Sequence, residues 1–227
     1  MLKGSWKSVA FLASVASPAL FLLALCSRDL FQLGWTSLAW CAPLLILTVA
    51  AGRLAVPVMS LDSLDQNQKS VANTFVFLAA VIYGPALATF LAAIDGLMRS
   101  RRASHRRVTV LSTSTAIVPT YIAVLFYELL TRFFAGEAPT GSRHLVESGH
   151  LLPLLCVLAL VQYFLEVIAF RTFTAFLRNH NRALFSRETF VWASLMQMVS
   201  ASSAALFYQS CKWVIFPRCW SAVCSSL

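Results

Sequence analysis

Few side chains here can do chemistry, and those that can sit in apolar surroundings. Three acids stand inside apolar runs: Asp95 in "FLAAIDGLMRS", Glu128 in "LFYELLTR" and Glu166 in "VQYFLEVIAF". An ionisable group within a membrane segment is costly, so each is a site candidate. Asp95 precedes Arg99 by four residues, the favourable acid-before-base order on a helix; the pair reads as a membrane-boundary contact, and a ligand or switch role for Asp95 fits the same residues. Glu128 has the same relation to Arg132 and reads as structural. Glu166 follows Gln162 by four, so both project from one helical face beside Tyr163. That face is expected to point into a bundle, where an interhelical hydrogen bond and a ligand or proton site fit equally. Gln197 and Ser200 add a polar stripe near the end of the chain, with Ser200/Ala204 and Ala201/Ala205 at the small-xxx-small spacing of packed membrane helices.

Metal and nucleophile chemistry find little footing. His144, Glu147 and His150 recur every third residue, but in a connection bounded by Gly141 and Gly149, with no cysteine to complete a ligand set. The six cysteines include no C-x-x-C pair and read as small apolar residues. Catalysis needs acids, histidines or ligands converging on a wet pocket. All four histidines (His105, His144, His150, His180) lie in connections while the intramembrane acids are spread over separate segments. Neither enzymatic activity nor a cofactor or metal is expected. The final "CSSL" places Ser225 and Ser226 where a prenylation box wants aliphatic residues.

The elements that must position these groups follow from composition. The 227 residues are 59% hydrophobic and 12% charged, where a soluble domain is about a quarter charged. Apolar runs of membrane length cover Val9–Leu25, Leu38–Ala51, Val108–Leu130, Leu151–Phe170 and Phe190–Phe207, with a sixth stretch, Val71–Met98, between the second and third. The first follows Lys3 and Lys7 but lacks a small-residue cleavage site, so it reads as a retained span. The expected fold is all-α: a polytopic membrane helical bundle of about 6–7 segments. Its divisions are 1–30, the N-terminus and first span; 31–207, the polytopic domain; and 208–227, an atypical tail that reads as truncated or frameshifted.

Val71–Met98 decides the topology. If it crosses once, the best orientation places 10 basic residues inside and 8 outside; if Tyr83-Gly84-Pro85 is a turn between two short helices, the split becomes 13 to 5. Basic residues favour the cytoplasmic side, so the hairpin is expected, with the N-terminus and Arg99–Arg107 inside. Pro85 lacks an N–H and disfavours a helical Gly84, which suits a helix break there. The arms are short, so they either gain turns from Gly52–Ser70 or form a re-entrant pair buried in the bundle.

The run "RSRRASHRR" holds Arg99, Arg101, Arg102, Arg106 and Arg107. A nucleic-acid site shows a basic face on a folded domain; this run sits between two apolar segments, where it attracts anionic headgroups and sets orientation. The partners expected are the bilayer and its anionic lipids, not nucleic acid, with a homodimer left open and the ligand unspecified.

The stretch "RLAVPVMSLDSLDQNQKSVANTFVFLAAVIYGPALATFLAAIDGLMRSRR" resembles a polytopic membrane domain at the N-terminus of bacterial signalling proteins that carry HD-GYP or GGDEF output domains. The matching residues are Ser70, Val71, Thr74, Phe75, Val76 and Phe77, then Tyr83, Gly84 and Pro85, then Ala92, Ala93, Asp95 and Gly96. The resemblance runs over roughly 36–207, and its specific part is 70–102. Asn73 stands where that family carries an acidic residue, and Leu111–Ala116 replaces an Asn/Gln-containing run. The resemblance implies a sensory or input module of the bacterial inner membrane, without a catalytic domain of its own. Ligand or switch candidates are then Asp95, Glu166, Gln162, Asn73 and Gln197, with Gly84 and Pro85 as the helix break. The layout is also similar to the substrate-binding subunits of energy-coupling-factor vitamin transporters, although eight glycines are few for those helices.

Overall fold

The computed structural model describes residues 6–32, 34–53, 72–100, 106–135, 151–178 and 187–214. All of them are helical except Gly84, and no strand occurs among the described residues. The helices are α1 Trp6–Gln32, α2 Gly34–Arg53, α3 Ala72–Tyr83, α4 Pro85–Ser100, α5 Arg106–Ala135, α6 Leu151–Arg178 and α7 Arg187–Val214. Each expected apolar run lies on one helix, apart from Val71–Met98, which is divided between α3 and α4. The last helix passes Phe207 and ends at Val214, so the division at 207/208 falls inside an element.

Three helices hold segments long and apolar enough to cross a membrane: Ala13–Gln32, Ser112–Phe133 and Leu151–Ala169. Shorter apolar segments are Cys41–Arg53, Ala72–Tyr83 and Pro85–Met98. Pro18, Pro43 and Pro119 lie within helices, a placement membrane bundles tolerate because neighbours and hydroxyls re-satisfy the backbone. In the first turns of α5 the hydroxyls of Thr113, Ser114 and Thr115 bond back to the carbonyls of Thr109, Val110 and Ser112 at 2.8–3.1 Å.

Large apolar side chains face outward among the described residues, and several polar side chains lie within a mainly apolar core. Buried side chains include Thr48, Asn73, Asp95, Thr120, Gln162 and Gln197, while Phe31, Phe133, Leu129, Leu206, Phe164 and Val199 are at least half exposed. Large apolar groups facing outward suit a hydrocarbon solvent, and polar groups then belong inside.

Helix packing forms a closed circuit, α3–α4–α5–α6–α7 and back to α3, with α1 against α4 and α5 and α2 against α3 and α4. The α3–α4 pair is therefore enclosed, and from Ala72 to Val81 only Phe75 escapes full burial. At 12 and 16 residues the two arms rise about 18 and 24 Å, short of the roughly 30 Å hydrocarbon core. Burial inside the bundle is what makes such short arms workable.

Close approaches fix the directions. A Cβ on Gly96 would lie 2.9 Å from the Thr113 Cα, and one on Gly84 would lie 3.4 Å from Glu128 Oε1. As α4 advances from 84 to 96, its neighbour on α5 retreats from 128 to 113, so the two helices are antiparallel. A Cβ on Gly52 would meet the Met98 Cβ at 3.1 Å, which sets the end of α2 beside the end of α4. Arg53, Arg99 and the start of α5 at Arg106 thus lie at the same end of the bundle. A single crossing by Val71–Met98 would separate them; a hairpin unites them.

Candidate functional site

Gly84 makes the hairpin possible. Its φ of +79° is in the left-handed region, which glycine enters without the Cβ penalty of other residues. Its N–H donates to the Ala80 carbonyl at 3.2 Å and its own carbonyl accepts from Ala88 N–H at 3.4 Å. The first bond is the 5→1 bond of a left-handed helix cap and the second is the opening bond of α4. One residue therefore ends α3 and starts α4. Pro85 takes the first helical position, where a missing N–H costs nothing and its fixed φ already fits. Over this turn sits Glu128 Oε1, at the positive end of α4's dipole, a favourable place for a carboxylate.

Asp95 lies at the opposite end of the hairpin and is fully buried. Its Oδ1 would be 3.6 Å from a Cβ on Gly52, so it occupies the α2–α4 seam, while Gly96 next to it lets α5 close in from the other side. Arg99, the expected partner, lies on α4, and Arg106 and Arg107 on α5; their side chains fall outside the described residues. Arg101 and Arg102 lie outside them altogether, as do His105, His144, Glu147, His150 and His180.

Two side-chain bonds from these candidates join different helices. Asn73 Nδ2 donates to Gln197 Oε1 at 2.9 Å, joining the first turn of α3 to α7 across 124 residues of sequence. Both side chains are 2% exposed, and Gln197 Nε2 has no hydrogen-bond partner. On α6, Gln162 Nε2 donates at 3.1 Å to Thr120 Oγ1 of α5 and at 3.1 Å to Glu166 Oε1. The expected shared face of Gln162 and Glu166 is thus present, and Tyr163 beside it is buried.

The structure assembles these candidates in separate places: Asn73 with Gln197, Gln162 with Glu166, Asp95 in the α2–α4 seam and Gly84 at the turn. Thr120 is the residue missed by sequence reading. A threonine among "IVPTYIAV" carries no signal of its own, because its partner is 42 residues away. Glu128, read as structural through Arg132, also has its Oε1 over the Gly84 turn. Tyr127, next to it, is 4% exposed with a hydroxyl that has no hydrogen-bond partner.

Among the described residues no three His, Cys, Asp or Glu side chains group together. What the arrangement offers is side-chain hydrogen bonding between helices. Comparison with known proteins finds no matching family model, curated protein or solved structure.

Proposed function

We propose that this chain is a sensory or input module of a bacterial inner membrane, of the type attached to cyclic-dinucleotide enzymes, with no catalytic centre of its own. The observation that carries the reading is the Asn73–Gln197 bond, which ties the enclosed hairpin to the last described helix. A buried amide pair in a bundle has discrete arrangements, bonded or exchanged, and a signal that prefers one shifts the population of α7 positions. The resemblance over 70–102 points to the same role. In this reading α1, α2, the hairpin arms, α5, α6 and α7 make up the six or seven membrane segments, and the arginines of 99–107 face anionic lipid at the cytoplasmic surface.

The test is a fusion. Residues 1–207, followed by the final span and output domain of a signalling protein of the resembled type, should give a regulated enzyme, and the purified unfused chain should neither make nor degrade cyclic dinucleotides. An active fusion whose rate ignores every condition, together with tight uptake of a vitamin by the unfused chain, would favour a transport subunit instead.

A further inference from the structure

The hairpin turn lies at the end of the bundle opposite Arg53 and Arg99, and a carboxyl group of α5 stands over it. A Cβ on Gly84 would lie 3.4 Å from Glu128 Oε1, and none of Gly84, Pro85 and Glu128 is fully buried, so protons have access. The opening bond of α4, from Ala88 N–H to the Gly84 carbonyl, is long at 3.4 Å. The N–H groups of Ala86 and Leu87 have no acceptor within the helix, and Pro85 carries none to donate. These donors and the α4 dipole attract a negative charge where Glu128 stands, and lose most of that attraction when the carboxyl is neutral. Gly84 itself is held at φ +79°, so the turn has little of its own to resist fraying.

We propose that Glu128 is a proton-operated latch on the hairpin: ionised, it holds the start of α4 against α5, and protonated, it lets the turn fray about Gly84. The other groups at this end leave its charge as the variable one. On α5 itself, Arg132 acts on Glu128 electrostatically, and Glu128 acts on Tyr121. From α1, Asp29 also acts on Tyr121, with Arg28 exposed beside it. From the hairpin, Tyr83 pairs with Cys41 of α2. Tyr127 faces Tyr208 of α7, and the start of α6 offers only the Cys156 thiol. Arginine keeps its charge at every relevant pH and the tyrosines and thiols stay neutral through the acid range, which leaves Asp29 as the one competing carboxyl. Because the ionised form is the one held, the latch is closed above the titration of Glu128 and opens as pH falls through it. It is a property of the bundle and does not depend on the signalling role.

Hydrogen exchange of the full chain in lipid nanodiscs, read by mass spectrometry on peptides over 80–90 and corrected for the intrinsic effect of pH, tests this, because exchange reports local opening. Acidification through the range in which a glutamate titrates should speed exchange over the turn by about two- to fivefold, the size of a helix-end charge effect, and should change 72–78 at the far end of α3 less. Glu128→Gln keeps the shape without the charge, so it should exchange at every pH like the acidified parent. Arg132→Gln and Asp29→Asn should each keep the pH response. A parent whose turn ignores pH would overturn the proposal, as would a Glu128→Gln variant that still responds. Loss of the response in Arg132→Gln would assign it to the ion pair instead of the helix end, and loss in Asp29→Asn would make Asp29 the titrating group; either result also overturns it. If Glu128→Gln does not fold, the response of the parent and its persistence in the other two variants decide.

Discussion

Gly84 shows how one residue's backbone freedom sets a whole topology. Replacing it with alanine forces a Cβ into the left-handed region at a cost of about 1–2 kcal/mol. The Cβ would meet Glu128 Oε1 at 3.4 Å, an ordinary contact, so strain rather than collision governs. Gly84→Ala should lower unfolding stability in detergent by that amount, and Gly84→Asn should cost less, since asparagine tolerates this conformation. A loss equal for both would assign the effect to the Glu128 contact instead. The Asn73–Gln197 pair yields a second expectation. A double-mutant cycle with Asn73→Leu and Gln197→Leu should give a coupling near 0.6 and no more than about 1.7 kcal/mol, the range of side-chain bonds within membrane bundles. Zero coupling would mean that the bond contributes nothing beyond its separate side chains. Gly84 was legible because glycine before proline speaks through its own backbone. The partnership of Asn73 was not, because a hydrogen bond across 124 residues depends on how helices are arranged around one another, and no local pattern encodes that.

At the scale of elements, apolar length located the helices and left their packing open. The α4–α5 seam depends on Gly96, where an added Cβ would lie 2.9 Å from the Thr113 Cα and 3.3 Å from the Ser112 carbonyl oxygen. Both are backbone atoms, so relief requires the helices to separate. Gly96→Leu should destabilise by about 1–3 kcal/mol or more, as overpacking does. Gly52→Ala is the milder case: its nearest neighbour is the Met98 Cβ at 3.1 Å, so α2 and α4 need to part by only a few tenths of an ångström, and the loss should be smaller. Equal losses would show that the α4–α5 approach is no tighter than the α2–α4 one. The motif "AAIDG" drew attention to Asp95, yet the residue after it carries the closer contact. Small residues declare that something approaches, but not what approaches.

For the whole molecule, the placement of charge and the direction of the helices converge on one topology. Basic residues divide 13 to 5 only if the hairpin returns. Independently, Gly52 beside Met98 and Gly96 beside Thr113 bring the ends of α2 and α4 and the start of α5 to one end of the bundle. That end carries Arg53 and Arg99 and the start of α5 at Arg106, and the positive-inside tendency predicts that it faces the cytoplasm. In the proposed reading, where α1 and α2 cross in succession, the N-terminus is expected on that same side. Cysteines placed at Ser5 and Ser100, in a chain whose native cysteines are removed, should both resist an impermeant thiol reagent in intact cells and react once the membrane is opened. Labelling at Ser100 alone would break the link between the arginine segment and the cytoplasm. Labelling at Ser5 with protection at Ser100 would restore a single crossing by Val71–Met98, and would contradict the shared end of α2 and α4.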